Sequence, residues 1–185
     1  MDLPTWWSAI DDLNLGSAFR LELEQLSRRS ASDNTKSGKT LSFLIDQGIV
    51  QKAVHLLPFF QHLVVKCGDQ GALVVMRIDP EDANNSVWKH QRSNPMQRHV
   101  VAAGKTGSII VVRHFPAMPL QSLVNVTGAG DSFVGALLAI LAEMPLAFYH
   151  PQALEKAIST AHKAAIATLQ CRSAVSPLIS TLSTD

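Results

Sequence analysis

At 185 residues, 46% hydrophobic and 17% charged, the chain has the length and balance of a single globular domain, which excludes an intrinsically disordered chain. Sixteen basic and fifteen acidic residues leave a net charge of +1 with no basic stripe, which excludes an electrostatic footprint for a nucleic-acid polymer. Two widely spaced cysteines, Cys67 and Cys171, argue against a disulfide framework or a cysteine metal site and point to a reducing, cytosolic compartment.

The first seven residues hold an acidic residue and a proline and no apolar run, unlike a signal peptide. Residues 6–26 have helical spacing, first in Trp7, Ile10 and Leu13 and then in Phe19, Leu23 and Leu26, with Asp11, Asp12, Arg20, Glu22 and Glu24 as the charged polar positions. Residues 27–40 are polar and rich in Ser, Asn and Gly and read as a loop or a disordered insertion, so 1–40 is a helix and a polar loop ahead of a larger region, 41–185. The apolar pattern over 41–60 predicts a helix to Leu57, with Pro58 as its boundary. Two β-branched runs, 62–67 and 72–78, flank a Gly68-Asp69-Gln70-Gly71 turn. Residues 79–107 are polar and irregular with a strand expected at 99–102, and 109–115 is a clear strand ended by Pro116 and Pro119. A brief strand is expected at 123–126. A helix apolar on nearly all sides, and so expected to be buried, runs from Asp131 to about Glu143, where Pro145 stops it. Its most apolar stretch, 133–142, has about half the length needed to cross a bilayer, so no membrane partner is expected. Pro151 opens a last helix, to Leu169, with Leu154, Ile158, Ala161, Ala165 and Thr168 on one face. This order predicts an α/β fold and leaves the strand directions open.

The stretch with chemical content is Asn125-Val-Thr-Gly-Ala-Gly-Asp-Ser-Phe-Val-Gly135. Glycines let a backbone take positive φ and approach a ligand closely. The first amides of a helix have no partner within it and carry the positive end of its dipole. A Gly-Ala-Gly turn opening a helix is therefore suited to a phosphate or a developing oxyanion. Asp131 at its mouth is placed to take a proton from an attacking hydroxyl while the amides of Gly128, Ala129 and Gly130 stabilise the transferring group. Gly135, one turn on, is expected to permit close helix packing. The plainer alternative is a turn with Asp131 as a helix cap.

The full string resembles the second signature of the PfkB (ribokinase-like) family of sugar and nucleoside kinases. Val65-Lys66-Cys67-Gly68-Asp69-Gln70-Gly71 resembles the family's strand–turn–strand, whose Gly-x-x-Gly turn borders the nucleotide; alone it would be an ordinary hairpin. Ala161-His162-Lys163-Ala164-Ala165 resembles the late helix that sets an Asn or His near the adenine, the alternative being a half-buried, hydrogen-bonded histidine. Val175-Ser176-Pro177 resembles the C-terminal segment that helps bind a monovalent cation. Within the family, the signature and the Ala-Val-Ser-Pro ending look most like pseudouridine kinases, including the kinase part of fungal bifunctional pseudouridine-degrading proteins.

The resemblance implies the C-terminal part of a ribokinase-like α/β/α sandwich that phosphorylates a small sugar or nucleoside hydroxyl, such as the 5′-hydroxyl of pseudouridine. Its implied cofactors are ATP, Mg2+ and K+. The catalytic set is Asp131 with Gly128, Ala129 and Gly130, and the nucleotide contacts are Lys66, Gly68, Gly71, Thr127 and His162. Asn125, Thr127 and Ser176 are the oxygen ligands for a monovalent cation, although many members have Asp where this chain has Asn125. No Asn-x-x-Glu, the family's magnesium-organising motif, occurs in the chain. The resemblance thus implies a missing N-terminal half, or a glycosidase domain in a longer protein, as covalent partner. The rival expectation is a non-catalytic nucleotide-binding module left by truncation.

Gly38-Lys39-Thr40 and Gly104-Lys105-Thr106 are not P-loops, because Asp33 and His99 stand where the motif needs its first glycine. Trp6, Trp7 and Trp88 are expected to pack against the protein and not to stack on a ligand.

Overall fold

Val-rich runs dictate the first half of the molecule. In the computed structural model, which describes residues 43–91, 99–103 and 107–181, they form an antiparallel sheet of four strands: β1 (His62–Lys66), β2 (Ala72–Ile78), β3 (His99–Ala103) and β4 (Ile109–Phe115). Their spatial order is β1-β2-β4-β3. The strands expected at 62–67, 72–78, 99–102 and 109–115 are all present, within a residue at each end. Pairing runs from Lys66 opposite Ala72 to His62 opposite Met76, and from Ala72 opposite Phe115 to Ile78 opposite Ile109. The expected N-terminal helix and polar loop of 1–40 lie outside the described residues, as does Gly104-Lys105-Thr106.

Alternation along the strands sends Leu73, Val75, Val100, Ala102, Ile110 and Val112 to one face. There they pack with Leu44, Ile45 and Leu57 and with Val50, Ala53 and Val54 of α1 (Ile49–His55). The long helix expected over 41–57 is broken. Residues 43–46 are helical, Gln47 and Gly48 form a turn, and α1 starts afresh because Gly48 takes the left-handed conformation (φ 71°). Trp88 lies across the other face, buried, edge-on to His99 with ring centroids 6.1 Å apart. The Arg113 guanidinium sits 4.8 Å from the Phe115 ring centroid and 6.0 Å from that of Trp88. Trp88 therefore packs, as expected. The stretch read as irregular also forms a short helix, α2 (Pro80–Ala83), and a 3-10 turn, Val87–His90.

The chain divides into two compact units, residues 1–116 and 117–185. The second is a helix pair, α3 (Ala129–Glu143) and α4 (Pro151–Leu169), joined through a 3-10 turn at Ala147–Tyr149. Phe133, Leu137 and Ile140 of α3 are buried, as are Leu154, Ala157, Ile158, Ala161 and Ala164 of α4. This is helical spacing on both sides, with alanines permitting close approach. Two expectations fail in α3. The helix is buried on one face only, for Leu138 is 60% and Val134 39% exposed. Gly135 is not a packing glycine, because a side chain there would meet open space.

Candidate active site

The second unit holds the Gly-Ala-Gly-Asp turn, and the local geometry begins with Gly128. It precedes α3 in the left-handed conformation (φ 81°, ψ −8°). Its Cα lies so close to Ala174 that a Cβ would overlap the Ala174 carbonyl oxygen and stand 2.7 Å from the carbonyl carbon. The first bond of the helical ladder runs from the Ser132 N–H to the Gly128 carbonyl at 2.8 Å. The N–H groups of Ala129, Gly130 and Asp131 therefore precede that ladder, at the positive end of a four-turn helix. Asp131 stands in this first turn, exposed to solvent. The arrangement sets the positive end of a helix, with the Ala129 and Asp131 amides in its first turn, beside a carboxylate that can act as a proton acceptor.

The approach to the turn differs from the expected strand at 123–126. The N–H groups of Val124 and Asn125 both donate to the Leu169 carbonyl, at 2.8 and 3.1 Å. That carbonyl is among the last of α4, which has no helical donor for it, so the segment caps a helix instead of pairing with a strand. Asn125 then uses both ends of its amide. Nδ2 donates to the Arg172 carbonyl at 3.2 Å, and Oδ1 accepts the Thr127 N–H at 3.0 Å. This side-chain turn delivers the chain to Gly128.

Beneath the turn the Ser132 and Thr168 hydroxyls meet at 2.8 Å, both buried. Thr168 Oγ1 also accepts the Ser176 N–H at 3.3 Å, and Ser176 Oγ accepts the Leu178 N–H at 3.3 Å. Sequence reasoning did not single out Ser132 or Thr168 for the site, nor the Ala174 carbonyl. The available signal was a threonine on the otherwise apolar face of α4.

His162, on α4, is half-buried with its ring 5.3 Å from that of Phe133. Burial pulls its pKa below the ordinary histidine value, which leaves a neutral ring at pH 7. Gly128 to Asp131, Thr127, Asn125, Ser176 and His162 are thus all carried by the second unit. Lys66, Gly68 and Gly71 belong to the first. Gly68 (φ 59°) and Gly71 (φ 94°) bend the β1–β2 connection through positive φ. The connection is braced by the buried His114, whose Nε2 lies 2.7 Å from the Gln70 carbonyl oxygen and so donates to it.

Among the described residues no group of three or more His, Cys, Asp or Glu side chains could cage a metal ion. Mg2+ is often held by one or two carboxylates and by substrate phosphates, so a metal arriving with a nucleotide fits this chemistry. The defined oxygens of the cation set, Asn125 Oδ1 and Ser176 Oγ, are neutral, and each already accepts a backbone N–H. No described helix is long and apolar enough to cross a membrane.

The family model for pfkB family carbohydrate kinases matches residues 77–181, more than half of the chain and all of the Gly128–Asp131 turn. The match starts after Lys66, Gly68 and Gly71. A pseudouridine-metabolizing bifunctional protein of Schizosaccharomyces pombe is 30% identical over 179 residues, which is 96% of this chain and 20% of that protein. The chain therefore spans about one fifth of that relative's length. No solved structure matches the chain.

Proposed function

The chain belongs to the pfkB family of carbohydrate kinases, whose fold is the ribokinase-like α/β type, and from that premise we propose that it serves ATP-dependent phosphorylation of a sugar or nucleoside hydroxyl with Asp131 as the proton acceptor. The observation that carries the reading is an exposed carboxylate in the first turn of α3, next to backbone amides that Gly128 alone can present at that angle. In the reaction, ATP's terminal phosphoryl group rests on the amides of Ala129 to Asp131. The acceptor oxygen forms its bond to phosphorus as the bridging bond to ADP breaks, and its proton passes to Asp131. Oriented amides are worth most where charge develops, in a site low in water. Magnesium enters as the metal of the Mg–ATP substrate and shields phosphate charge.

The proposed acceptor is the 5′-hydroxyl of pseudouridine, supported by the relative whose name describes pseudouridine metabolism. His162 would face the adenine, supported by its neutral, half-buried ring. The roles of Lys66, Gly68, Gly71 and Thr127 toward the nucleotide rest on the family resemblance.

The test is a coupled ATP-turnover assay on the protein carrying this sequence, with pseudouridine, ribose and other nucleosides as acceptors. Asp131→Asn should lower turnover by at least about a hundredfold, the usual contribution of a positioned base, while ATP binding by calorimetry stays within about twofold. Equal loss of both would make Asp131 structural. Wild-type ATP binding with no turnover would instead support a non-catalytic nucleotide-binding module.

A further inference from the structure

We propose that Thr168 is a positioning residue for phosphoryl transfer: its buried hydroxyl fixes, through Ser132, the helix turn that aims the Asp131 carboxylate. The inference rests on the reading of Asp131 as proton acceptor. Among the described residues, no hydrogen bond or ion pair holds that carboxylate. Its direction is therefore set by its own backbone, and by whatever holds the backbone on either side. On the N-terminal side Gly128 is wedged against Ala174. On the C-terminal side the next residue, Ser132, is held twice, by its N–H on the Gly128 carbonyl at 2.8 Å and by its hydroxyl on Thr168 at 2.8 Å.

Thr168 is the hub of this arrangement. It is fully buried, at 0% exposure, in the last turn of α4. Its one oxygen meets both the Ser132 hydroxyl and the Ser176 N–H. A hydroxyl in an apolar helix interface is costly unless bonded, and packing alone would be served by valine at that position. What the hydroxyl adds is a fixed distance between three segments: the first turn of α3, the end of α4 and the chain after Ala174. Proton transfer demands such fixity, since a misplacement of about 1 Å can lower a rate by about a hundredfold.

The experiment measures kcat and KM for ATP in the protein carrying this sequence, for Thr168→Val, Thr168→Ser, Ser132→Ala and Asp131→Asn. Thermal melts confirm that each is folded at the assay temperature. Thr168→Val should lower kcat by about ten- to a hundredfold with KM for ATP within about twofold, and Thr168→Ser should recover kcat to within about threefold of wild type. Ser132→Ala should lower kcat similarly, and the Ser132→Ala/Thr168→Val pair should be no worse than the worse single variant. Should Thr168→Val fail to fold, Ser132→Ala decides alone. The proposal is overturned if the folded variants keep wild-type kcat, or if Thr168→Ser is as impaired as Thr168→Val. If Asp131→Asn keeps full turnover, or the wild type has none, the underlying reading falls and takes this one with it. If Asp131→Asn is inactive and Thr168→Val is not, only the present inference falls.

Discussion

Two independent constraints meet at the Cα of Gly128. Its φ of 81° belongs to the left-handed region, and the Ala174 carbonyl occupies the place of a Cβ. The first constraint alone would cost an alanine about 1–2 kcal/mol; the second forces the chain at Ala174 to move. Gly128→Ala should therefore lower the melting temperature and cut ATP turnover by more than about a hundredfold, since the displaced amides are those that would hold the phosphate. Gly135 is the control on the same helix. It has ordinary helical backbone and open space around it, so Gly135→Ala should stabilise the chain by about 0.5–1 kcal/mol in urea unfolding. The two glycines look alike in the sequence, where both fall in the signature stretch. The first was legible as a special position because it opens a helix. The second was misread because no local pattern tells which face of an apolar helix is covered.

Between residue and molecule, the β1–β2 connection shows what an element needs beyond its own sequence. Gly68 and Gly71 permit the bend, and the Cys67 N–H closes it on the Gly71 carbonyl at 2.8 Å. The remaining brace comes from β4, where His114 reaches Gln70, 44 residues away. His114→Phe keeps the bulk of the ring and strands the Gln70 carbonyl. The expected loss is about 1–3 kcal/mol of stability, seen as a lower urea midpoint and faster amide exchange at Cys67 and Gly71. The strands themselves were readable, since β-branched runs bounded by turn residues carry their own signal. What was not readable depends on distant partners. The 123–126 segment has a strand's composition, yet its N–H groups found the end of α4. The 41–57 run is helical in pattern but breaks at Gly48. Likewise, in the candidate site the Gly-Ala-Gly-Asp string announced itself, while the Ser132–Thr168 contact joins residues 36 apart and has no sequence motif.

For the whole molecule, pH acts through histidines that folding keeps neutral. Burial pulls the pKa of His162 below its ordinary value. It does the same for His62, where desolvation outweighs the opposing pull of Asp79 and Asp82. Of these two, His62 lies in the first unit and His162 in the second. In the unfolded chain both titrate near the ordinary value of about 6.5. Above that pH, neither the folded nor the unfolded histidine is charged, and their contribution to stability is fully present. As pH falls below it, the unfolded chain takes up protons that the folded chain resists, so stability declines until pH passes the depressed folded values. The slope cannot exceed about 1.4 kcal/mol per pH unit for each group. Thermal melts between pH 7.5 and 5 should accordingly show a falling midpoint, with a smaller fall in His162→Gln and in His62→Gln than in the wild type. A double variant that still loses as much stability as the wild type over that range would place the acid sensitivity in other groups.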